Sequence, residues 1–75
     1  MKELVEFIAR SLVDAPDSVK VTEVETEGMT TYEIEVAPDE VGKVIGRQGR
    51  IIKAVRSVVR ASAARQNRRV AVEVV

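Results

Sequence analysis

The sequence predicts an α+β fold, a three-stranded mixed sheet with helices on one face, its elements in the order α-β-β-α-α-β. Three observations predict it. The first dozen residues carry an apolar repeat of helical period. Three short Val-rich stretches, two near the middle and one at the C-terminus, read as strands. Between the second and third lies a long segment of helical periodicity, broken once by two glycines three residues apart.

Residues 2–13 are expected to form an amphipathic helix, with Leu4, Ile8 and Leu12 at i+4 spacing, Val5 beside them, and Lys2, Glu3, Glu6 and Arg10 elsewhere. Asp14-Ala15-Pro16-Asp17 ends it, because proline disfavours helix at the preceding residue. Residues 19–26 read as a strand in which Val19 and Val21 share a parity and Val24 does not, so a bulge or twist is expected there. Gly28-Met29-Thr30 reads as a turn. Residues 31–37 then alternate, with Tyr32, Ile34 and Val36 on one face and Thr31, Glu33 and Glu35 on the other. Asp39 is a suitable N-cap for a short helix through Val41, Val44 and Ile45. A longer helix begins near Arg50, with Ile51, Ile52, Val55, Val58, Val59 and Ser62 as its buried stripe and Lys53, Arg56 and Arg60 on the opposite face. Asn67 fits a left-handed C-cap, and residues 69–75 form the last strand with Val70, Val72 and Val74 inward.

Strands joined by a tight turn pair antiparallel, whereas a long helical crossover favours parallel pairing and a right-handed connection. The 31–37 strand is therefore expected in the centre. Glu23, Glu25, Glu33 and Glu35 are expected on or near the open sheet face.

Seventy-five residues make a single small domain spanning 1–75, without linker or internal repeat. At that size only about 60% of the unfolded surface is buried, so the core is small. There is no cysteine and no histidine, and no metal-ligand spacing, so no cofactor or metal is expected. Ser57 and Ser62 lie on a helix with no base in view, which speaks against an enzyme. The N-terminus carries acids where a signal peptide needs an apolar run, and no stretch is long enough for a membrane span, so a cytoplasmic location is expected. The formal net charge is zero, but its distribution is not even. Residues 1–40 hold three cations against eleven acids, and residues 41–75 hold nine cations against one acid, Glu73. Such asymmetry points to a polyanionic partner for the positive half more strongly than to solubility alone.

Val41 to Ile52 carries the most chemistry. At its centre Gly46-Arg47-Gln48-Gly49 is a G-x-x-G with a basic residue inside, flanked by Val44 and Ile45 before it and Ile51 and Ile52 after it. Glycines strip side chains from a tight turn and let a nucleic-acid backbone approach the peptide. Lys43, Arg47, Arg50 and Lys53 match the charge of phosphate. The alternative is a plain helix–helix turn. No G-K-[ST] follows, as a Walker A loop would need, and no strand leads directly into the motif, as a dinucleotide fingerprint requires. Gly42 is expected to serve helix packing or close approach rather than ligand contact. Arg65, Arg68 and Arg69 are expected to act as helix-end and strand-edge charges.

The motif Val44-Ile45-Gly46-Arg47-Gln48-Gly49-Arg50-Ile51-Ile52 fits V-I-G-x-x-G-x-x-I at every fixed position, and with the element order the chain resembles a type II KH domain over essentially its whole length. A chain of this size resembles the small bacterial single-KH proteins of the KhpA (YlqC-like) family. The resemblance implies cytoplasmic binding of single-stranded RNA in a groove beside the loop, gripping about four nucleotides. Lys43, Val44, Ile45, Gly46, Arg47, Gln48, Gly49, Arg50, Ile52 and Lys53 would form that site. Val41, Val44, Ile45 and Ile52 would divide between groove surface and core. Phe7 and Tyr32 are the only aromatics, so an aromatic stacking platform is not expected. The family resemblance also implies self-association or pairing with a larger KH-containing protein. The competing function is therefore a protein-interaction module, supported by the small core and the alanine-rich 55–64 segment.

Overall fold

Helix α1 spans Lys2–Leu12 in the computed structural model, which describes residues 1–75. Its deepest side is not the Leu4–Ile8–Leu12 stripe. Val5 and Ala9 are fully buried against the sheet, those three are half-buried, and Phe7 is 70% exposed. Two apolar stripes therefore run side by side, and the outer one faces α3 (Arg50–Arg65) across a groove. A 3-10 turn at Pro16–Ser18 follows, with proline where a missing N–H leaves no bond unmade.

Strand β1 (Lys20–Thr26) pairs antiparallel with β2 (Met29–Glu35), and Thr26 opposite Met29 leaves Glu27-Gly28 as a two-residue turn. Both residues have positive φ, 50° and 79°, the signature of a type I′ hairpin. The turn thus lies one residue earlier than Gly28-Met29-Thr30, with Gly28 as its second residue, where a positive φ is free of steric cost. The register is continuous, with no bulge. Val24 breaks the alternation because it stands opposite Thr31 on the open face, 40% exposed.

That register also corrects the placing of two acids. Glu23 stands opposite Tyr32 and Glu25 opposite Thr30, so both share the helix-side face, while Glu33 and Glu35 occupy the open one. The Tyr32 hydroxyl donates to Glu23 Oε2 at 2.9 Å. Burial, followed by the Glu23 carboxylate, raises the Tyr32 pKa above its ordinary value.

Strand β3 (Arg69–Val74) lies parallel to β2, giving the order β1-β2-β3 with β2 central. Val70, Val72 and Val74 stand beside Thr30, Tyr32 and Ile34. Helices α1 and α3 cover that face, and the core runs through Val5, Ala9, Tyr32, Ile34, Val59 and Val72. Each such valine or isoleucine side chain contributes about 1.5–3 kcal/mol by leaving water.

On α3 the buried stripe is Ile52, Val55, Val59 and Ala63. Val58 is 52% exposed, and Ile51 and Ser62 are half-buried, so the stripe is shifted from the expected one. Asn67 adopts φ 56°. The Asn67 N–H donates to Ala64 O at 3.1 Å and the Arg68 N–H to Ala63 O at 2.9 Å, a Schellman ending. Arg68 is more than a surface charge. Its guanidinium donates to Thr30 Oγ1 at 3.1 Å and lies 3.9 Å from Glu23, tying the α3–β3 connection to the hairpin. No helix is long and apolar enough to cross a membrane.

Candidate nucleic-acid interface

Helix α2 (Val41–Ile45) has five residues, far too few to persist alone. The group that fixes its start is Glu40, which the sequence did not single out. Glu40 is 4% exposed, and its carboxylate accepts the N–H of Asp14 at 2.5 Å and of Ala15 at 2.9 Å. Lys43 Nζ lies 3.4 Å from Glu40 and 2.5 Å from Asp14. The Asp14 N–H, then the Ala15 N–H and the Lys43 ammonium, hold the Glu40 carboxyl below the usual carboxylate range against its partial desolvation. Hydrogen bonding to Asp14 raises the Lys43 pKa. Asp39, the expected cap, instead lies within a 3-10 turn, Pro38–Glu40, and α2 has no side-chain cap. The longer glutamate side chain reaches back to the α1–β1 connection, a contact distant in sequence.

The chain reverses between α2 and α3 through the glycine motif. Gly46 has φ 77° and ψ 171°, Gln48 φ 57° and Gly49 φ 73°. A Cβ at Gly46 would lie 2.5 Å from Ile51 Cγ1, so Ile51 packs directly over its bare backbone. Gly49 has no such neighbour and needs only its left-handed φ. Arg47 and Gln48 project from the turn into solvent. Gly42, expected to serve helix packing, is exposed, and a Cβ there would meet open space.

The aliphatic residues divide cleanly. Val44 and Ile52 are buried core, 0% and 5% exposed, and Val41 and Ile45 are half-buried beside the loop. The cations divide too. Arg47, Arg50 and Lys53 are exposed, and Arg50 borders the apolar groove between α1 and α3. Lys43 is engaged by Asp14 and Glu40. Lys53, Arg56 and Arg60 lie on one side of α3 but are not equally solvated. Lys53 and Arg60 are exposed, while Arg56 is half-buried and its Nε donates to the Val72 carbonyl at 3.0 Å. Chemically, the loop offers a close-approach backbone, exposed cations and half-buried aliphatic surface.

The family described as KhpA/KhpB, KH domain, matches residues 2–74. The chain is 55% identical to the RNA-binding protein KhpA of Clostridium acetobutylicum, with all of both chains covered. It is 45% identical to the RNA-binding protein KhpA of Aquifex aeolicus, covering 99% of this chain and 94% of that one. Among solved structures, an Era variant of Aquifex aeolicus bound to GDP and AlF4− superposes with a TM-score of 0.70 at 24% identity. That match covers 97% of this chain and 28% of the other, and it concerns the fold alone.

Proposed function

The chain belongs to the KhpA/KhpB family of KH domains, and from that premise we propose that it binds single-stranded RNA, without catalysis, through the glycine loop. The carrying observation is the loop itself: Arg47 and Gln48 stand exposed between two positive-φ glycines, with Ile45 half-buried beside them. Phosphates would lie on Gly46–Gly49, met by Arg47, Gln48, Arg50 and Lys53. Bases would turn toward Val41 and Ile45, and Val44 and Ile52 would shape that surface from beneath. Lys43 would add field while its ammonium anchors α2. The relatives are RNA-binding proteins by name, which supports this assignment, as does the positive balance of residues 41–75. A cytoplasmic location suits such a ligand.

The test is the double variant Arg47→Asp with Gln48→Asp, measured by fluorescence anisotropy on a short single-stranded RNA. Both side chains are exposed, so no packing is lost. Each nearby like-charge contact costs on the order of a kcal/mol or more, which erases a roughly micromolar affinity. A folded variant, by circular dichroism, that binds as well as the parent removes the loop from the mechanism.

One observation favours a second role as a docking unit for another copy or for a larger KH-containing protein. Leu4, Phe7, Ile8 and Leu12 of α1 face Ile51, Ala54 and Val58 of α3 across an open apolar groove. Phe7→Glu with Val58→Glu should lower the mass measured by light scattering if copies associate there. An unchanged mass sets self-association through this groove aside.

A further inference from the structure

Helix α2 is tied to the α1–β1 connection twice, and one of the two ties suffices to hold it. The first is Glu40, whose Oε2 accepts the Asp14 N–H at 2.5 Å and whose Oε1 accepts the Ala15 N–H at 2.9 Å. Both oxygens of this buried carboxylate are thereby met by backbone donors. The second is the Asp14 side chain, whose Oδ2 takes the Lys43 ammonium at 2.5 Å. The Asp14 side chain is 88% exposed and that of Lys43 45%. An exposed pair of this kind contributes little to stability, because water screens it and two flexible side chains must be held in one geometry. Anchoring α2 therefore does not explain the Asp14 carboxylate.

Its effect on the loop is larger. Lys43 lies in the last turn of α2, three residues before Gly46. Asp14 and Glu40 set two negative charges against the one positive charge of Lys43, which leaves an excess negative charge beside a loop suited to phosphates. The three ion pairs of the chain are Lys43–Asp14, Lys43–Glu40 and Arg68–Glu23. Of the four cations around the glycine motif, Arg47, Arg50 and Lys53 are thus unpaired, and Lys43 alone is taken by carboxylates. The Asp14 oxygen makes with the ammonium the charge-assisted hydrogen bond that a phosphate oxygen would make. It does so from a fixed point, because Glu40 holds the Asp14 backbone.

We propose that Asp14 is an internal competitor of RNA for Lys43. A phosphate must displace the Asp14 carboxylate to take the ammonium, so the resting loop offers three free cations and holds a fourth in reserve. This rests on the RNA-binding assignment above and adds to it a positioning residue outside the loop, one that lowers affinity and acts through Lys43. The tie is exposed and weak, so a phosphate can break it. The Glu40 hydrogen bonds do not involve the Asp14 side chain, so α2 keeps its place when the tie opens.

The experiment measures binding of the full chain to a short fluorescent oligouridine by anisotropy, at several salt concentrations. Asp14→Asn keeps the shape of the side chain and the backbone N–H that Glu40 accepts, and removes the charge. It should bind about three- to tenfold more tightly at low salt. Its slope of log K against log salt should steepen by up to about 0.7, the release of one more counterion from a single strand. Asp39→Asn removes the same charge from an exposed acid of the neighbouring turn that forms no ion pair, and so reports the general field alone. Its gain should be about twofold or less, with no change of slope. In a Lys43→Gln background, Asp14→Asn should gain no more than Asp39→Asn does, because the partner through which it acts is gone. Equal gains for Asp14→Asn and Asp39→Asn overturn the assignment while leaving RNA binding in place. A gain that persists without Lys43, or a loss of affinity in Asp14→Asn, does the same. A parent that binds no RNA removes this assignment together with the one beneath it. Asp14→Ser, which also keeps the backbone N–H, repeats the comparison if circular dichroism shows the asparagine variant unfolded.

Discussion

Gly46 and Gly42 stand four residues apart and should respond oppositely to alanine. At Gly46 the backbone occupies a region open essentially to glycine, and a Cβ would strike Ile51. Gly46→Ala should cost about 2–4 kcal/mol, seen as a clear fall in Tm. At Gly42 the backbone is helical and the space is open. Gly42→Ala should be neutral or stabilise by about 0.4–1 kcal/mol, because it lowers the entropy of the unfolded chain. Glu40 yields a prediction in pH. Its folded pKa lies below the unfolded value of about 4.3. The stability it contributes is therefore present above that value and is lost as pH falls through the folded pKa. Between about pH 5 and pH 2 the parent should lose more Tm than Glu40→Gln, which starts lower at neutral pH and has no such titration. Parallel Tm–pH curves would show that the carboxylate charge does not hold α2. The glycine spacing was visible in the sequence. The role of Glu40 was not, because its partners, Asp14 and Ala15, lie 26 and 25 residues away and are backbone groups without a residue signature.

At the scale of elements, the periodicities located all six helices and strands to within a residue or two, and the parallel pairing of β2 with β3 followed from the crossover between them. What periodicity did not resolve was which of two adjacent apolar rows on a helix meets the sheet. On α1 the larger Leu4–Ile8–Leu12 row marks the rim, and the smaller Val5–Ala9 row is buried. Small side chains let the helix approach the sheet, so the deepest positions are not the bulkiest. The same shift exposes Val58 on α3. Strand faces were misassigned for β1 because its register is set by the Glu27-Gly28 turn. A one-residue change in turn position reverses every side chain. Arg56 also belongs to this scale: helical spacing grouped it with Lys53 and Arg60, and only the proximity of β3 separates it from them.

Over the whole molecule, the balance of −8 in residues 1–40 against +8 in residues 41–75 does not make two opposed hemispheres. Part of it is neutralised internally, where Glu40 and Asp14 meet Lys43 and Glu23 approaches Arg68. What is left is an acidic open sheet face, with Glu33 beside Glu73 and Glu35 following, and the exposed cations of the loop and of α3. An RNA gripped at the loop therefore meets few fixed charges. With about three phosphates engaged, log K should fall against log salt with a slope near −2, since each single-strand contact releases about 0.7 of a counterion. Neutralising Glu33 and Glu35 to glutamine should leave affinity unchanged at physiological salt and improve it slightly only at low salt, where the Debye length reaches about 30 Å. A duplex should bind more weakly than a single strand, because paired bases cannot turn toward Val41 and Ile45. A flat salt response would count against a loop that grips phosphates, and a loss of binding on removing the two acids would place the RNA on the sheet face instead.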